Sequence, residues 1–440
     1  MKALIIAAGD GTRIQKYAQG KPKCLLSLLG LTIIERIILA AKEAGIRSFV
    51  IVIGYQGNQI KALLKDGKKY GVSLTYLENK NWRKGNGVSV LKAKEFFKKT
   101  FVLLMADHLF APDTLKRLQQ VPLKTHESVL AVDKKIKTME NPQEATKVFV
   151  KAGRVISLGK KISPYNGFDT GMFICSPFLF KALIKATRKN KYSLSDAMRI
   201  LVKENKLKAF DIGENFWADC DTYEDFKFAE KKLLQSLTKP QDGVISQKLN
   251  RKISAFITKL LVKTPISPNF VSLVTLILSL SVCWFLFKGT YPWLLFGGLA
   301  IQFLSILDGC DGEIARLKFQ QSRWGAFFDT VLDRYVEIIL IFGMVYGYWK
   351  LKQEPLALIL GFFAVAASLL DIFSSREIKV ATRKKIKWPL LNIRRDLRLL
   401  ILALGAISRQ IILTMLILIF IANFKIIFRL FFARKNSFKR

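Results

Sequence analysis

Residues 308–334, DGCDGEIARLKFQQSRWGAFFDTVLDR, place four carboxylates, Asp308, Asp311, Asp329 and Asp333, within the most apolar part of the chain. Charged groups beside hydrocarbon are costly, so acids retained there point to chemistry rather than to a solvated surface. Asp308, Asp311, Gly312 and Ala315 recur at three or four residues and share one helical face. Gly325, Asp329 and Asp333 recur at four and share a face of the next helix. Two such helices facing each other gather four acids in one pocket near the inner membrane surface. Packed carboxylates repel unless cations intervene. Divalent ions, Mg²⁺ first and Mn²⁺ as the alternative, suit an all-oxygen site completed by phosphate. A two-metal site stabilises the charge of a pyrophosphate in displacement chemistry. Gly312 and Gly325 leave space for a nucleotide to approach the backbone, and Arg316 is placed to meet a phosphate. The competing reading is a set of structural ion pairs with nearby arginines.

Outward from this stretch, hydropathy and length predict six spans, near Asn269–Phe287, Tyr291–Leu307, Gly325–Trp349, Pro355–Phe373, Leu397–Ser408 extended by a few residues, and Gln410–Leu430. The expected fold here is an all-α six-helix transmembrane domain over 264–440. The stretch 376–398 holds nine Lys/Arg, whereas the expected outer loops hold only Lys288, Lys350, Lys352 and Arg409. That bias puts 308–324, 376–396 and the C-terminal tail in the cytoplasm. Before the spans, 239–263 reads as a linker followed by an interfacial helix. Leu249, Ile253, Phe256, Ile257, Leu260 and Leu261 lie on one side of it, with Lys248, Arg251, Lys252 and Lys259 mostly elsewhere. A helix packed on the soluble part is the alternative.

The acid motif, Asp308-x2-Asp311-Gly312-x2-Ala315-Arg316-x8-Gly325-x3-Asp329-x3-Asp333, matches the signature of the CDP-alcohol phosphotransferase family, and the upstream Pro268-Asn269-x2-Ser272 is similar too. The resemblance covers about 170 residues. It implies Asp308, Asp311 and Asp329 as metal ligands and Asp333 at the metal site as general base on the acceptor hydroxyl. It also implies Gly312, Ala315, Arg316 and Gly325 around a cytidine diphosphate, with CMP as leaving group. Lys384, Lys385, Arg394, Arg395 and Arg398 suit an anionic acceptor such as a phosphorylated polyol. Contact with lipid headgroups is the rival reading of these cations.

Residues 1–238 alternate short apolar runs with amphipathic stretches. Strands are expected at Ala3–Ala7, Ser48–Ile53, Thr75–Glu78, Phe101–Met105, Ser128–Val132 and Gly171–Cys175, and helices at Ile33–Ala44 and Pro112–Gln120. That order predicts a Rossmann-like, mainly parallel α/β sheet. Gly9, Gly11, Thr12 and Arg13 follow a strand, where glycine-freed backbone N–H groups wrap phosphates, and Lys23 is within reach of the same group. Asp107 ends a strand, a usual place for a metal carboxylate. Asp219 or Asp221 would complete that site. The loop Lys84–Ser89 is suited to reading a base. His108 reads as a neighbour of the metal acid or a structural histidine. Together these resemble the sugar-nucleotidyltransferase family, most closely the branch with cytidylyltransferases. The resemblance implies Gly9, Gly11, Thr12, Arg13 and Lys23 at the nucleotide phosphates, with Arg13 and Lys23 catalytic. It implies Asn86 and Ser89 near the base. Asp107 with Asp219 or Asp221 would hold Mg²⁺. Lys16 and Ala18 depart from residues common in that family, which leaves sugar specificity open.

Net charge is +38, from 71 Lys+Arg against 33 Asp+Glu. No Arg-rich low-complexity tail or zinc-finger spacing supports a nucleic-acid partner, so the charge is assigned to the membrane surface and to anionic substrates. Cysteines 24, 175, 220, 283 and 310 form no CxxC pair and read as reduced thiols. Met1 leads directly into a buried strand, which predicts a cytoplasmic N-terminal domain on a multi-pass protein of the cell membrane. A half that makes a CDP-alcohol joined to one that consumes it resembles a bifunctional family of thermophilic archaea and bacteria. That resemblance implies CTP and inositol 1-phosphate as substrates and CDP-inositol as intermediate. It implies transfer to a second inositol 1-phosphate, and a homodimer. Two further hypotheses stand beside it: a bifunctional phospholipid enzyme with a lipid acceptor, and a membrane-tethered nucleotide-binding regulator with dead sites.

Overall fold

The structure, a computed structural model, describes residues 1–136, 142–237, 250–382 and 395–437. It divides into two compact units, Met1–Ser236 and Leu237–Arg440.

The first unit is α/β. Its strands are β1 Lys2–Ala7, β2 Ser27–Leu28, β3 Leu31–Thr32, β4 Ser48–Ile53, β5 Ser73–Glu78, β6 Phe101–Met105, β7 His108–Phe110, β8 Ser128–Asp133, β9 Lys147–Lys151, β10 Arg154–Gly159, β11 Gly167–Cys175, β12 Leu207–Asp211 and β13 Trp217–Asp219. Its helices are α1 Gln15–Ala18, α2 Ile33–Glu43, α3 Gly57–Leu64, α4 Asn86–Lys92, α5 Pro112–Leu118, α6 Phe178–Thr187, α7 Leu194–Lys203 and α8 Tyr223–Gln235. Nine strands form one sheet in the order β5-β4-β1-β6-β11-β8-β12-β10-β9. The sheet is mixed, which corrects the expectation of a mainly parallel one. β5, β4, β1 and β6 are parallel, but β11 runs antiparallel to both β6 and β8, and β10 is antiparallel to β12 and β9. The physical reason lies in the connections. β9 and β10 are joined by a tight turn at Ala152–Gly153, both with positive φ, which permits only antiparallel pairing. The alternating apolar runs report strands and helices but not strand direction.

Helix starts in this unit follow local chemistry. Thr32, Ser193 and Thr222 each accept from the amide three residues on, while Glu35, Asp196 and Asp225 reach back, making three capping boxes. The core between sheet and helices contains Leu4, Val52, Leu103, Leu130, Phe173, Phe180 and Met198.

The second unit is helical: α9 Arg251–Leu261, α10 Pro268–Phe287, α11 Tyr291–Leu317, α12 Arg323–Lys352, α13 Pro355–Thr382, α14 Arg395–Ile407 and α15 Ile411–Ser437. Four of these, α10, α11, α13 and α15, are long and apolar enough to cross a membrane. α12 is long but carries Asp329, Asp333, Arg334 and Glu337, and α14 has 13 residues. α11 runs through Leu317 and α12 begins at Arg323, so most of the cytoplasmic loop expected at 308–324 is helix, with only a short connection. The tight turn before α15 is made by Arg409 in the left-handed region at φ 60°. Leu286, Ile301, Leu340, Met344, Leu402 and Met415 form the packed centre of the bundle.

The apolar side expected of α9 is split. Ile253, Phe256 and Leu260 are exposed, whereas Ile257 and Leu261 pack against Val271, Leu307, Cys310 and Ile314. Ser254 and Thr258 are buried beside them, because the facing helix carries a buried acid that needs donors.

Candidate active sites

In the α/β unit, β1 and β6 are parallel neighbours with Ile6 opposite Met105. The turns that follow them therefore emerge side by side at one edge of the sheet, bringing Gly9–Arg13 next to Asp107. β13 pairs antiparallel with β7, setting Asp219 opposite His108. Carboxylate and imidazole atoms of Asp107, His108 and Asp219 all lie within 4.8 Å of one another. Lys23 bridges Asp107 and Asp221, and Arg13 pairs with Asp221 and with Glu144 at 2.9 Å. Gly11 sits at φ 63°, and a Cβ there would stand 2.7 Å from Lys23 Cβ, so glycine is what lets the lysine stem cross the loop.

Electrostatics follow from the burial. Desolvation opposes the Lys23 charge, but Asp107 and Asp221 outweigh it and push its pKa above the usual lysine range. Burial likewise opposes ionisation of Asp107, yet Lys23 and His108 hold it at about 2. Asp219 is raised to about 6 by burial, with Asp221 and Asp107 adding to the effect. His108 is penalised by burial but raised to about 9 by Asp219 and Asp107. Its Nδ1–H donates to the Thr170 carbonyl at 2.8 Å, which turns Nε2 toward the acids. Asp219 Oδ1 is buried and accepts no hydrogen bond among the described residues. An all-oxygen acid pair with one oxygen free of hydrogen bonds among the described residues is a donor set that fits a hard divalent cation.

Asn86 and Ser89, expected near a base, each make one hydrogen bond within the protein. Asn86 Oδ1 accepts from the Leu194 amide at 2.8 Å, and the buried Ser89 hydroxyl accepts from Asn79 at 2.9 Å. Both hold α4 against neighbouring segments. The cause is the buried start of α7, whose free amide needs an acceptor.

In the helical unit, α11 and α12 bring Asp308, Asp329 and Asp333 together, with carboxylate oxygens within 4.8 Å of one another. Asp311 lies within hydrogen-bonding reach of Asp329 and accepts from Ser272 Oγ at 2.6 Å and from the Gly312 amide. Gly325 lies against α10: a Cβ on it would stand 3.2 Å from Asn269 Oδ1. Gly312, Ala315 and Arg316 line the same end of α11, with Arg316 Nη1 3.3 Å from where a Gly312 Cβ would be. Arg395 bridges Asp308 and Asp333, the latter at 2.9 Å. It therefore touches the acids directly instead of standing apart in a basic loop. Lys384, Lys385 and Arg394 lie outside the described residues, as does the linker at 239–243. Four acids against the bridging Arg395, with Arg334 at 3.9 Å from Asp333, leave a surplus of negative charge, which suits further cations.

Beyond this pocket lies a second charged group that sequence reasoning named only in part. Glu337 pairs with Arg334 and with Arg398 at 3.2 Å and accepts from Ser368. Asp371 pairs with Lys425, with Arg429 at 2.6 Å and with Arg398 at 3.3 Å. A signal existed for some of it: Glu337 continues the four-residue spacing from 325 through 329 and 333, and Lys425 and Arg429 are four apart in an otherwise apolar span.

The nucleotidyl transferase family model matches residues 2–236 and the CDP-alcohol phosphatidyltransferase model matches residues 265–433. Fold, acid sites and both matches define a membrane-associated transferase that joins a nucleotidyltransferase to a CDP-alcohol phosphotransferase. The chain is 34% identical over 408 residues to a "Bifunctional IPC transferase and DIPP synthase" of Rubrobacter xylanophilus, covering 92% of this chain and 90% of that one. It is 30% identical to a protein of the same name from Aquifex aeolicus, covering 99% and 98%. The chain belongs to this bifunctional IPC transferase and DIPP synthase family. Among solved structures, the inositol-1-phosphate CTP transferase from T. maritima is 25% identical, with a TM-score of 0.48, over 52% of this chain and 95% of that one.

Proposed function

We propose that the two units catalyse consecutive steps. The first, residues 1–238, joins CTP and inositol 1-phosphate to give CDP-inositol and pyrophosphate. The second, residues 264–440 behind a linker and interfacial helix at 239–263, transfers phosphoinositol from CDP-inositol to another inositol 1-phosphate. The products are di-myo-inositol phosphate phosphate and CMP. The observation that carries this reading is the convergence of Asp308, Asp329 and Asp333, with Asp311 in contact, beside a cation-rich cluster.

In the first step, Arg13 and Lys23 hold the CTP phosphates while the inositol phosphate oxygen attacks the α-phosphorus. Gly9, Gly11 and Thr12 offer backbone amides to the same phosphates. Asp107 with Asp219 would hold the cation; Asp221 is engaged by Lys23 and Arg13, which favours Asp219 for that role. In the second step, Asp308, Asp311 and Asp329 would hold the cations, and Asp333 removes the proton from the acceptor hydroxyl. Gly312, Ala315, Arg316 and Gly325 border the nucleotide. Mg²⁺, with Mn²⁺ as the alternative, supplies charge neutralisation at the attacked phosphorus in both sites. Arg398, Lys425, Arg429 and Arg334 outnumber Glu337 and Asp371, and this net positive charge favours a phosphorylated acceptor over a neutral one. Arg395 orients Asp333, which it contacts at 2.9 Å. The chain is a homodimer of the cell membrane crossing it six times, with N-terminal unit and C-terminus in the cytoplasm.

Purified protein given CTP, Mg²⁺ and inositol 1-phosphate without added lipid is expected to form a water-soluble phosphodiester. Accumulation of CDP-inositol until a lipid acceptor is supplied would instead favour a phospholipid synthase.

A further inference from the structure

Glu313 lies inside the acid motif yet faces away from it. At about 100° per residue it stands about 140° around α11 from Asp308 and roughly 160° from Asp311. Its side chain is fully buried. Its donors among the described residues come from α9: Arg251 at 2.6 Å and Ser254 at 2.7 Å on one oxygen, Thr258 at 2.7 Å on the other. The neighbouring turn is tied to the same helix. Arg251 Nη1 lies 3.4 Å from the Gly309 carbonyl, and a Cβ on Gly309 would meet that nitrogen at 3.2 Å. Cys310 Sγ contacts the Ser254 carbonyl at 3.7 Å. Gly309, Cys310 and Glu313 therefore form a back face bound to α9, while Asp308 and Asp311 form the front face of the same turns.

We propose that Glu313 is a positioning residue: a buried carboxylate through which α9 fixes the rotation of α11, and so the placement of Asp308 and Asp311 for cation binding. A carboxylate with both oxygens occupied by three donors resists rotation of its helix, whereas apolar packing alone would let α11 turn against α9. The proposal rests on the reading of the acids as cation ligands. Groups that orient ligands without touching the metal alter affinity by about 10–100-fold when removed.

The test is Mn²⁺ binding, read by electron paramagnetic resonance on the full chain in detergent. All proteins carry Asp107→Ala, so that the signal reports the helical unit. Glu313→Gln is expected to weaken Mn²⁺ binding about tenfold, and CMP release from supplied CDP-inositol is expected to recover as Mg²⁺ is raised. Ser254→Ala and Thr258→Ala, each removing one donor far from the acids, are expected to weaken binding measurably, by less than Glu313→Gln does. They decide the matter if Glu313→Gln does not fold. Unchanged Mn²⁺ affinity in the folded variants would overturn the proposal and leave Glu313 a fold-stabilising ion-pair partner. Absence of binding by the Asp107→Ala parent would instead overturn the cation reading of the acids, and this inference with it.

Discussion

The two acid sites are assembled in opposite ways. In the α/β unit, Arg13, Lys23, Asp107, Asp219 and Asp221 come from separate turns, brought together because β1 lies beside β6 and β7 beside β13. In the helical unit, Asp308, Asp311, Asp329 and Asp333 come from one contiguous stretch of two helices. The first site also carries its own counter-charges, with Lys23 on two acids and His108 between two. The second sets four acids against Arg395 and, at the longer distance of 3.9 Å from Asp333, Arg334. A site built on helical periodicity needs only spacing to form; a site built on sheet edges needs the whole topology. The charge balance differs correspondingly, so the helical site depends more on added cations.

The largest effect that would sharpen this contrast is expected from Asp308→Asn. CMP release from supplied CDP-inositol should fall by about 10³-fold, with pyrophosphate release from CTP unchanged in a coupled phosphate assay. Asp107→Ala should do the converse, lowering pyrophosphate release about a hundredfold and sparing transfer. If either substitution depressed both reactions equally, the sites would not be separate. Arg429→Met removes one cation from the Asp371 cluster. It should raise the KM for the phosphorylated acceptor about tenfold, with little change in kcat or in the KM for CDP-inositol.

The smallest effect lies away from both sites. Burial opposes the Glu127 charge, but the Lys124 amide, Lys208 and Arg154 outweigh it and hold its pKa at about 2, below the usual 4.5. Because the folded value is depressed, the stabilisation is present above pH 4.5 and lost as pH falls toward 2. Glu127→Gln should lower the Tm of the α/β unit by about 2–4 °C at pH 7. That difference should shrink between pH 4.5 and pH 2.

The acid motif was readable because its residues, with Gly325 among them, repeat at the helix period; the hydrogen bond from Ser272 to Asp311 was not. Glu313 was not, since an acid at an off-face position gives no sign of which helix will meet it. Asp371, Lys425 and Arg429 stand on α13 and α15, and their meeting is a matter of bundle packing. In the α/β unit the strands were legible from apolar runs, but the antiparallel β11 was not, because side-chain alternation is the same in either direction. Asn86 and Ser89 illustrate the same limit: a polar loop suggests a ligand, and the hydrogen bonds to Leu194 and Asn79 appear only in the tertiary structure.

Product analysis of Asp333→Asn with CTP, Mg²⁺ and inositol 1-phosphate tests the central claim most directly. CDP-inositol and pyrophosphate should accumulate in equal amounts, while CMP forms about 10²–10⁴-fold more slowly than in the unaltered protein. Undiminished CMP release, or loss of pyrophosphate together with CMP, would contradict it.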